Sequence, residues 1–328
     1  MAELPPLTFT PILKERIWGG RRLAETFGKP LPERVPIGES WEITDRPEGV
    51  SVVASGSFAG RDLRWLMAHR GHDLLGRDTA PDERFPWLIK LLDCTDDLSL
   101  QVHPPAHKAA TLRGEPKTEM WYFADTRPGS RIYVGLRQGV TREGFSRKVS
   151  DGTVADCFHA HDTHPGDAMF VPSGRVHALG GGNLVFEIQQ NSDTTYRVFD
   201  WNRVGLDGKP RELHLEASMA SIDFDDFEPG LIDATARSRE TDRLRELVRH
   251  PLFHIDELQV GAGGPLPDPR RPGTPGALGV VRGHLTASGG GETVDIPAGG
   301  FVLLGASLRT PTLIAHPGSV LLSVTPGS

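Results

Sequence analysis

The chain has 328 residues, a net charge of −7, a pI near 6.0, 38 glycines, 27 prolines and two cysteines. That length suggests two domains at about 150 residues each, and an acidic balance without a Lys/Arg run argues against nucleic-acid and membrane-surface partners. Cys94 and Cys157 are too few for a disulfide framework, the N-terminus lacks a basic region before an apolar core, and no apolar run approaches the roughly 20 residues of a membrane span, so a cytoplasmic location is expected.

Leu7-Thr8-Phe9 opens a strand, Gly19-Gly20 permits a turn into a short helix over Arg21 to Phe27, and Ile37 to Ile43 reads as a strand with Trp41 in the core. Asp62 to Leu75 carries Leu63, Leu66, Met67, Leu74 and Leu75 at helical spacing and is expected to be scaffold. Trp87 to Leu92 is apolar enough for a strand buried on both faces. In Leu98 to His103, the apolar Leu98, Leu100 and Val102 alternate with Ser99, Gln101 and His103, the period of a strand with one polar face. Gln101 and His103 then point the same way, with backbones about 6.5 Å apart, close enough to converge on one ion. Taken alone, an exposed strand carrying Ser, Gln and His on its outer face is the plainer alternative.

Pro105 to Arg113 is expected to be an inserted helix. Lys117 to Phe123 reads as a strand with Lys117, Glu119 and Trp121 on one face, which leaves Glu119 as a carboxylate in need of a partner. Ser130 to Leu136 and Thr153 to His161 read as further strands. His159, His161 and His164 are expected to be solvated, because no acid or cysteine stands at ligand spacing. Gly166 to His177 is an apolar strand, a Pro172-x-Gly174 turn and a histidine that opens the next strand. Thr194 to Trp201 is expected to pair with the strand Asn183 to Gln190 across Asn191-Ser192-Asp193, with Arg197 on the face of Thr195 and Phe199. A surface ion pair with Asp193 or Asp200 is the alternative for that arginine. Leu213 to Ser221 and Ser238 to Val248 are expected as helices around an acidic loop at Asp223 to Asp233. From Phe253 onward short β runs alternate with glycine and proline: Ala277 to Leu285, Thr293 to Ile296, Gly300 to Leu304 and Ser319 to Val324, with a Pro-rich loop at Leu266 to Gly276. His284 and His316 stand alone in this part, so it is expected to hold no metal.

Gln101, His103, Glu119 and His177 make a mixed nitrogen and oxygen set suited to zinc, and iron, manganese, cobalt and nickel accept the same ligands. Gly166, Pro172-x-Gly174 and His177 match the spacing of the second cupin motif, a metal-bearing pattern of small β-barrels. The first cupin motif departs, with Gln101-x-His103 in place of His-x-His and Glu119 well downstream. Ser99-Leu100-Gln101-Val102-His103-Pro104, Lys117-Thr118-Glu119-Met120-Trp121-Tyr122, Val176-His177-Ala178 and Tyr196 to Arg203 together resemble the type I mannose-6-phosphate isomerases of the cupin superfamily.

This resemblance implies a mainly β fold of two cupin-like β-barrels of jelly-roll type with a few peripheral helices. A catalytic metal-binding domain would span residues 1–235, and a smaller metal-free domain residues 236–328. It implies interconversion of mannose 6-phosphate and fructose 6-phosphate by proton transfer through a cis-enediol. One Zn2+ per chain would sit on Gln101, His103, Glu119 and His177, with Gln101 either a ligand or the holder of a water. Arg197 and Lys117 would be catalytic, and Ser99, Trp18, Lys117 and Arg197 would bind substrate. Arg175, where the family more often has a small residue, is expected to narrow or recharge the pocket. The expected partner is a small-molecule sugar phosphate, with no nucleic acid and no membrane, and the expected state a monomer or weak homodimer. Two other classes share the ligand set: a non-catalytic sugar-phosphate-binding cupin, and an iron-dependent cupin oxygenase, against which Gln101-x-His103 argues.

Overall fold

The computed structural model describes residues 3–80, 82–233, 236–239 (backbone path) and 242–327. The fold is mainly β, built as two successive pairs of sheets. The first pair has a six-stranded sheet in the order Ala168–Val171, Glu119–Thr126, Asn183–Gln190, Trp87–Asp93, Ile37–Ile43, Ile12–Gly20. Its partner is a five-stranded sheet in the order Phe158–Asp162, Arg131–Leu136, His177–Leu179, Leu100–Val102, Tyr196–Phe199. The second pair has a six-stranded sheet running from Ala236–Arg239 to Phe301–Leu304 and a four-stranded sheet of Gly264–Leu266, Thr312–Ala315, His284–Gly289 and Glu292–Pro297. The expected domain boundary falls beside residues 234 and 235, which lie outside the described residues.

The two six-stranded sheets share one core. Trp87, Ile89 and Leu91 of the first pair cluster with Phe253, Ile255, Leu303, Leu322 and Val324 of the second. Phe186 joins them, its ring 5.6 Å from both Phe27 and Phe301. Each sheet is therefore covered on both faces, which is why Trp87–Asp93 and Val320–Thr325 read as nearly continuous apolar runs rather than alternating ones. The helix Leu63–Leu75 packs into the same core. Asp62 caps it by accepting from Trp65 N at 2.6 Å, and Gly76 closes it in the left-handed conformation. Among the described residues no helix is long and apolar enough to cross a membrane.

Four local expectations are corrected. Tyr196–Phe199 pairs with Leu100–Val102 and not with Asn183–Gln190. Gln189 donates its amide to the carbonyls of Gln190 and Ser192, so the chain crosses from one sheet to the other where a hairpin would have turned back. Ser238 to Val248 is not helical: Ala236–Arg239 and Asp242–His250 are antiparallel strands. Leu244, Leu247 and Val248 mimic helical spacing because a bulge between Glu246 and Val248 adds a residue to the strand. Thr153 to His161 begins as a 3-10 turn, Val154–Cys157, before the strand Phe158–Asp162. The inserted helix after His103 is confined to Ala106–Ala109. An unexpected helix, Arg142–Ser150, is capped by Thr141, which accepts from Gly144 N.

Candidate active site

The crossover that replaces the hairpin brings separate stretches of chain together. On the five-stranded sheet Gln101 is opposite His177 on one side and Arg197 on the other. Glu119 stands on the facing sheet, opposite Gln189 and Val171. The turn before His177 is tied to both sheets. Gly174, at φ 96°, donates its N–H to the His103 carbonyl, and Ser173 Oγ accepts from Lys117 N. The residues that hold the turn thus flank the groups it positions.

His103, Glu119 and His177 are fully buried, with donor atoms all within 4.8 Å of one another. Each imidazole gives Nδ1–H to a backbone carbonyl, His103 to Thr194 at 2.7 Å and His177 to Arg175 at 2.9 Å. This fixes the tautomer and leaves both Nε2 atoms unprotonated and close to Glu119, 3.7 and 3.5 Å away. Burial, aided by the Lys117 charge, pushes His103 down to about 3, and burial pushes His177 down to about 4. Both rings are therefore neutral at physiological pH, as ligation requires. Burial works to raise Glu119, but Lys117 and the histidines outweigh it and hold the carboxyl well below its usual range. Glu119 Oε1 has no hydrogen-bond partner, while Lys117 donates to both Glu119 Oε2 and His103 Nε2. The donor set already gathers around a positive charge and keeps an orphaned anionic oxygen, which fits a divalent cation. Gln101 Nε2 lies 3.3 Å from His177 Nε2, and Ser99 Oγ donates to Gln101 Oε1 at 3.2 Å.

A cavity of about 590 Å³ lies beside this cluster, separated from it by Gln101 and Lys117, which touch His177, His103 and Glu119; Trp18, Ser99 and Arg197 line it as well. Trp18 is both cavity wall and core, packed on Leu92 and Trp121. A Cβ on Gly38 would lie 2.6 Å from the Trp18 ring, so glycine lets the indole approach the strand Ile37–Ile43. Arg197 does not pair with Asp193 or Asp200. Asp200 is taken by Arg203 and Arg211, and Asp193 by Lys90. Among the described residues Arg197 forms no ion pair; Nη1 donates to the Glu212 carbonyl at 2.7 Å and the buried Nε has no partner. Arg175 corrects an expectation. It does not line the cavity, because its guanidinium is held by both Asp226 oxygens and the Phe170 carbonyl.

Residues 7–133 match the family model for the catalytic domain of type I phosphomannose isomerase. The chain is 42% identical over 220 residues to a mannose-6-phosphate isomerase of Bacillus subtilis (strain 168), covering 66% of this chain and 68% of that protein. It is 39% identical over 262 residues to the mannose-6-phosphate isomerase of Streptococcus mutans, covering 79% and 80%. This chain belongs to the type I phosphomannose isomerase family. The crystal structure of the Bacillus subtilis mannose 6-phosphate isomerase superposes with a TM-score of 0.87 at 29% identity over 98% of this chain and 99% of that one. A putative mannosephosphate isomerase from Archaeoglobus fulgidus shares the fold, with a TM-score of 0.76 at 21% identity over 99% of both chains.

Within this family member the cavity also holds residues that sequence reasoning missed. Lys90, inside the apolar run Trp87–Asp93, is buried and meets Asp193 at 3.1 Å, Glu187 at 3.5 Å and Glu39 at 3.9 Å. Burial opposes its charge, but the three carboxylates raise its pKa. The same Lys90, with Arg16, draws Glu39 down to about 2 against the effect of burial. Glu187 reaches Lys117 at 4.0 Å, so Lys90, Glu187, Lys117 and Glu119 form one buried chain of charges. The available signal was a lone lysine in an otherwise apolar strand. His159 and His161 lie apart from the cavity, their Nε2 atoms 3.2 Å from each other.

Proposed function

We propose that this protein interconverts mannose 6-phosphate and fructose 6-phosphate with one zinc ion per chain. The observation that carries this reading is the convergence of His103, Glu119 and His177, both imidazoles held neutral beside one carboxylate, next to a cavity of sugar-phosphate size whose wall includes Arg197, a cation with no ion pair among the described residues. His103, Glu119 and His177 would hold the ion, with Gln101 as a fourth ligand or the holder of a water. When bound there, the ion supplies Lewis-acid polarisation of the two adjacent sugar oxygens.

The chain's own residues cover the other tasks. Arg197, with no acid to satisfy it, binds the phosphate or the oxyanion that develops as the proton leaves carbon. Lys117 faces the same space as Glu119 and, coupled through Glu187 to Lys90 and Asp193, belongs to a network able to accept a proton from one carbon and return it to the next. Ser99 and Trp18 shape the sugar end, where the indole wall excludes water from the enediol. We further assign residues 1–235 to this catalytic unit and residues 236–328 to a metal-free unit that covers its back. Cytoplasmic residence suits the two free, buried thiols Cys94 and Cys157. A coupled assay with mannose 6-phosphate, run with and without a chelator and alongside elemental analysis, tests the reading. Turnover that survives removal of all metal, or no turnover with zinc at one per chain, overturns it.

A further inference from the structure

The interior of the second pair of sheets contains a cavity of about 230 Å³, larger than the roughly 150 Å³ that accommodates benzene in an apolar core. Its floor is aliphatic, formed by Leu278 and Leu321 of the six-stranded sheet and Leu313 of the four-stranded sheet, all buried. Pro267 and Pro269 of the Pro-rich loop form the rim. Among the described residues its polar lining is one-sided: Asp242, Asp256 and Ser323 contribute, and no lysine, arginine or histidine does. Ser323 is 6% exposed and its buried hydroxyl has no hydrogen-bond partner.

The register sets these groups beside one another. Asp256 is opposite Ser323, and Ser323 is opposite Leu278, so a carboxylate, a hydroxyl and an aliphatic side chain sit side by side on adjacent strands. Asp256 accepts from Arg249 at 2.5 Å, but that arginine is not part of the cavity wall. Asp242 accepts from Gly261 N at 2.9 Å. Burial raises the Asp256 pKa despite its ion pair with Arg249. A ligand suited to this wall has a compact hydrocarbon body and a positively charged group that donates hydrogen bonds.

We propose that the second barrel carries a binding site for a small hydrophobic amine, its hydrocarbon on Leu278, Leu313 and Leu321 and its ammonium on Asp256 and Ser323. The site is remote in sequence from the metal cluster and calls for no metal.

Isothermal titration of the full-length protein with benzylammonium, and with benzoate as the ring-matched anion, tests this. Benzylammonium is expected to bind with a Kd on the order of 1 mM and benzoate at least about tenfold more weakly. Asp256→Asn should weaken benzylammonium about tenfold or more. Ser323→Leu, which fills the polar side, should abolish binding; Leu278→Phe does the same from the apolar side should Ser323→Leu fail to give a cooperative melt. Absence of benzylammonium binding, equal binding of benzoate, or unchanged binding in a folded cavity-filling variant overturns the proposal. The last result would place the amine outside the second barrel.

Discussion

Trp87–Asp93 in the first barrel and Val320–Thr325 in the second are both central strands buried on both faces, yet they present different chemistry to their own interiors. The first presents Lys90 and Leu92 to a cavity shared with Glu187, Lys117 and Gln101. The second presents Leu321 and Ser323 to a cavity floored by leucines. On the shared outer faces they converge, with Trp87, Ile89, Leu91, Leu322 and Val324 in one cluster. A jelly-roll frame thus tolerates either filling, at unequal cost. Buried charges need partners, which Lys90, Glu187, Lys117 and Glu119 of the first barrel find in a chain of ion pairs, whereas leucines need only fit. The difference is one of ligand chemistry: the first interior presents a network of charges, the second a mostly hydrocarbon wall with a few acidic groups.

The largest expected effect tests the metal side of that contrast. His177→Ala removes an imidazole that a rigid turn presents and that we assign to the metal, and should abolish both stoichiometric metal and turnover while the fold persists; full metal content by elemental analysis would break the assignment. Next comes Arg197→Ala. Loss of a preorganised charge at a developing oxyanion costs about 3 to 4 kcal/mol, so kcat should fall a hundredfold or more with metal content intact and melting within a few degrees of wild type. Arg197→Lys should rescue poorly, lacking the planar fork. Turnover within a few-fold of wild type in Arg197→Ala would pass the role to Lys117.

Phe301→Ala addresses the shared outer face. Removing the ring that meets Phe186 should cost roughly 3 to 5 kcal/mol in chemical denaturation, and since Phe186 belongs to the first barrel the unfolding transitions should shift together. A shift confined to one of two separate transitions would mean that the barrels are energetically independent.

A smaller, pH-dependent effect comes from the Glu39, Lys90 and Arg16 cluster. Glu39 sits at about 2 in the folded protein, below the ordinary value of 4.5, so its contribution is fully present above about pH 4.5 and is lost as pH falls toward 2. Wild-type stability should decline through that window, and Glu39→Gln should decline less steeply; parallel curves would show the cluster contributes nothing. The smallest expected change is in His284→Ala and His316→Ala. Their rings lie 4.8 Å apart, a proximity their sequence positions do not suggest, and His284 contacts the exposed Asp295 at 3.5 Å. Metal content and turnover should stay at wild type in both, and a loss in either would erase the distinction between the two interiors.

Much of the first barrel was legible because its signals are local. Period-two alternation put Gln101 and His103 on one face and Lys117 with Glu119 on another, Pro172-x-Gly174 set the turn before His177, and the spacing of Leu63, Leu66, Met67, Leu74 and Leu75 marked a helix. Local patterns failed where long-range packing outvoted them. Leu244, Leu247 and Val248 look helical until the bulge and the pairing with Phe253–Gln259 account for the spacing. Tyr196–Phe199 looked like half of a hairpin because spacing is blind to the side-chain bonds of Gln189 that carry the chain to the other sheet. Sequence alone therefore determined which residue types could ligate, which strands could form and which faces they would show. Tertiary structure decided what faced what: that Thr194 and Arg175 carbonyls fix both imidazoles, that Asp200 is committed to Arg203 and Arg211 and leaves Arg197 without an acid, and that Lys90 joins the site through three carboxylates distant in the chain. The reason is physical. A side chain's facing direction follows from backbone period within a few residues, whereas its partner, burial and charge state depend on which distant strand closes over it.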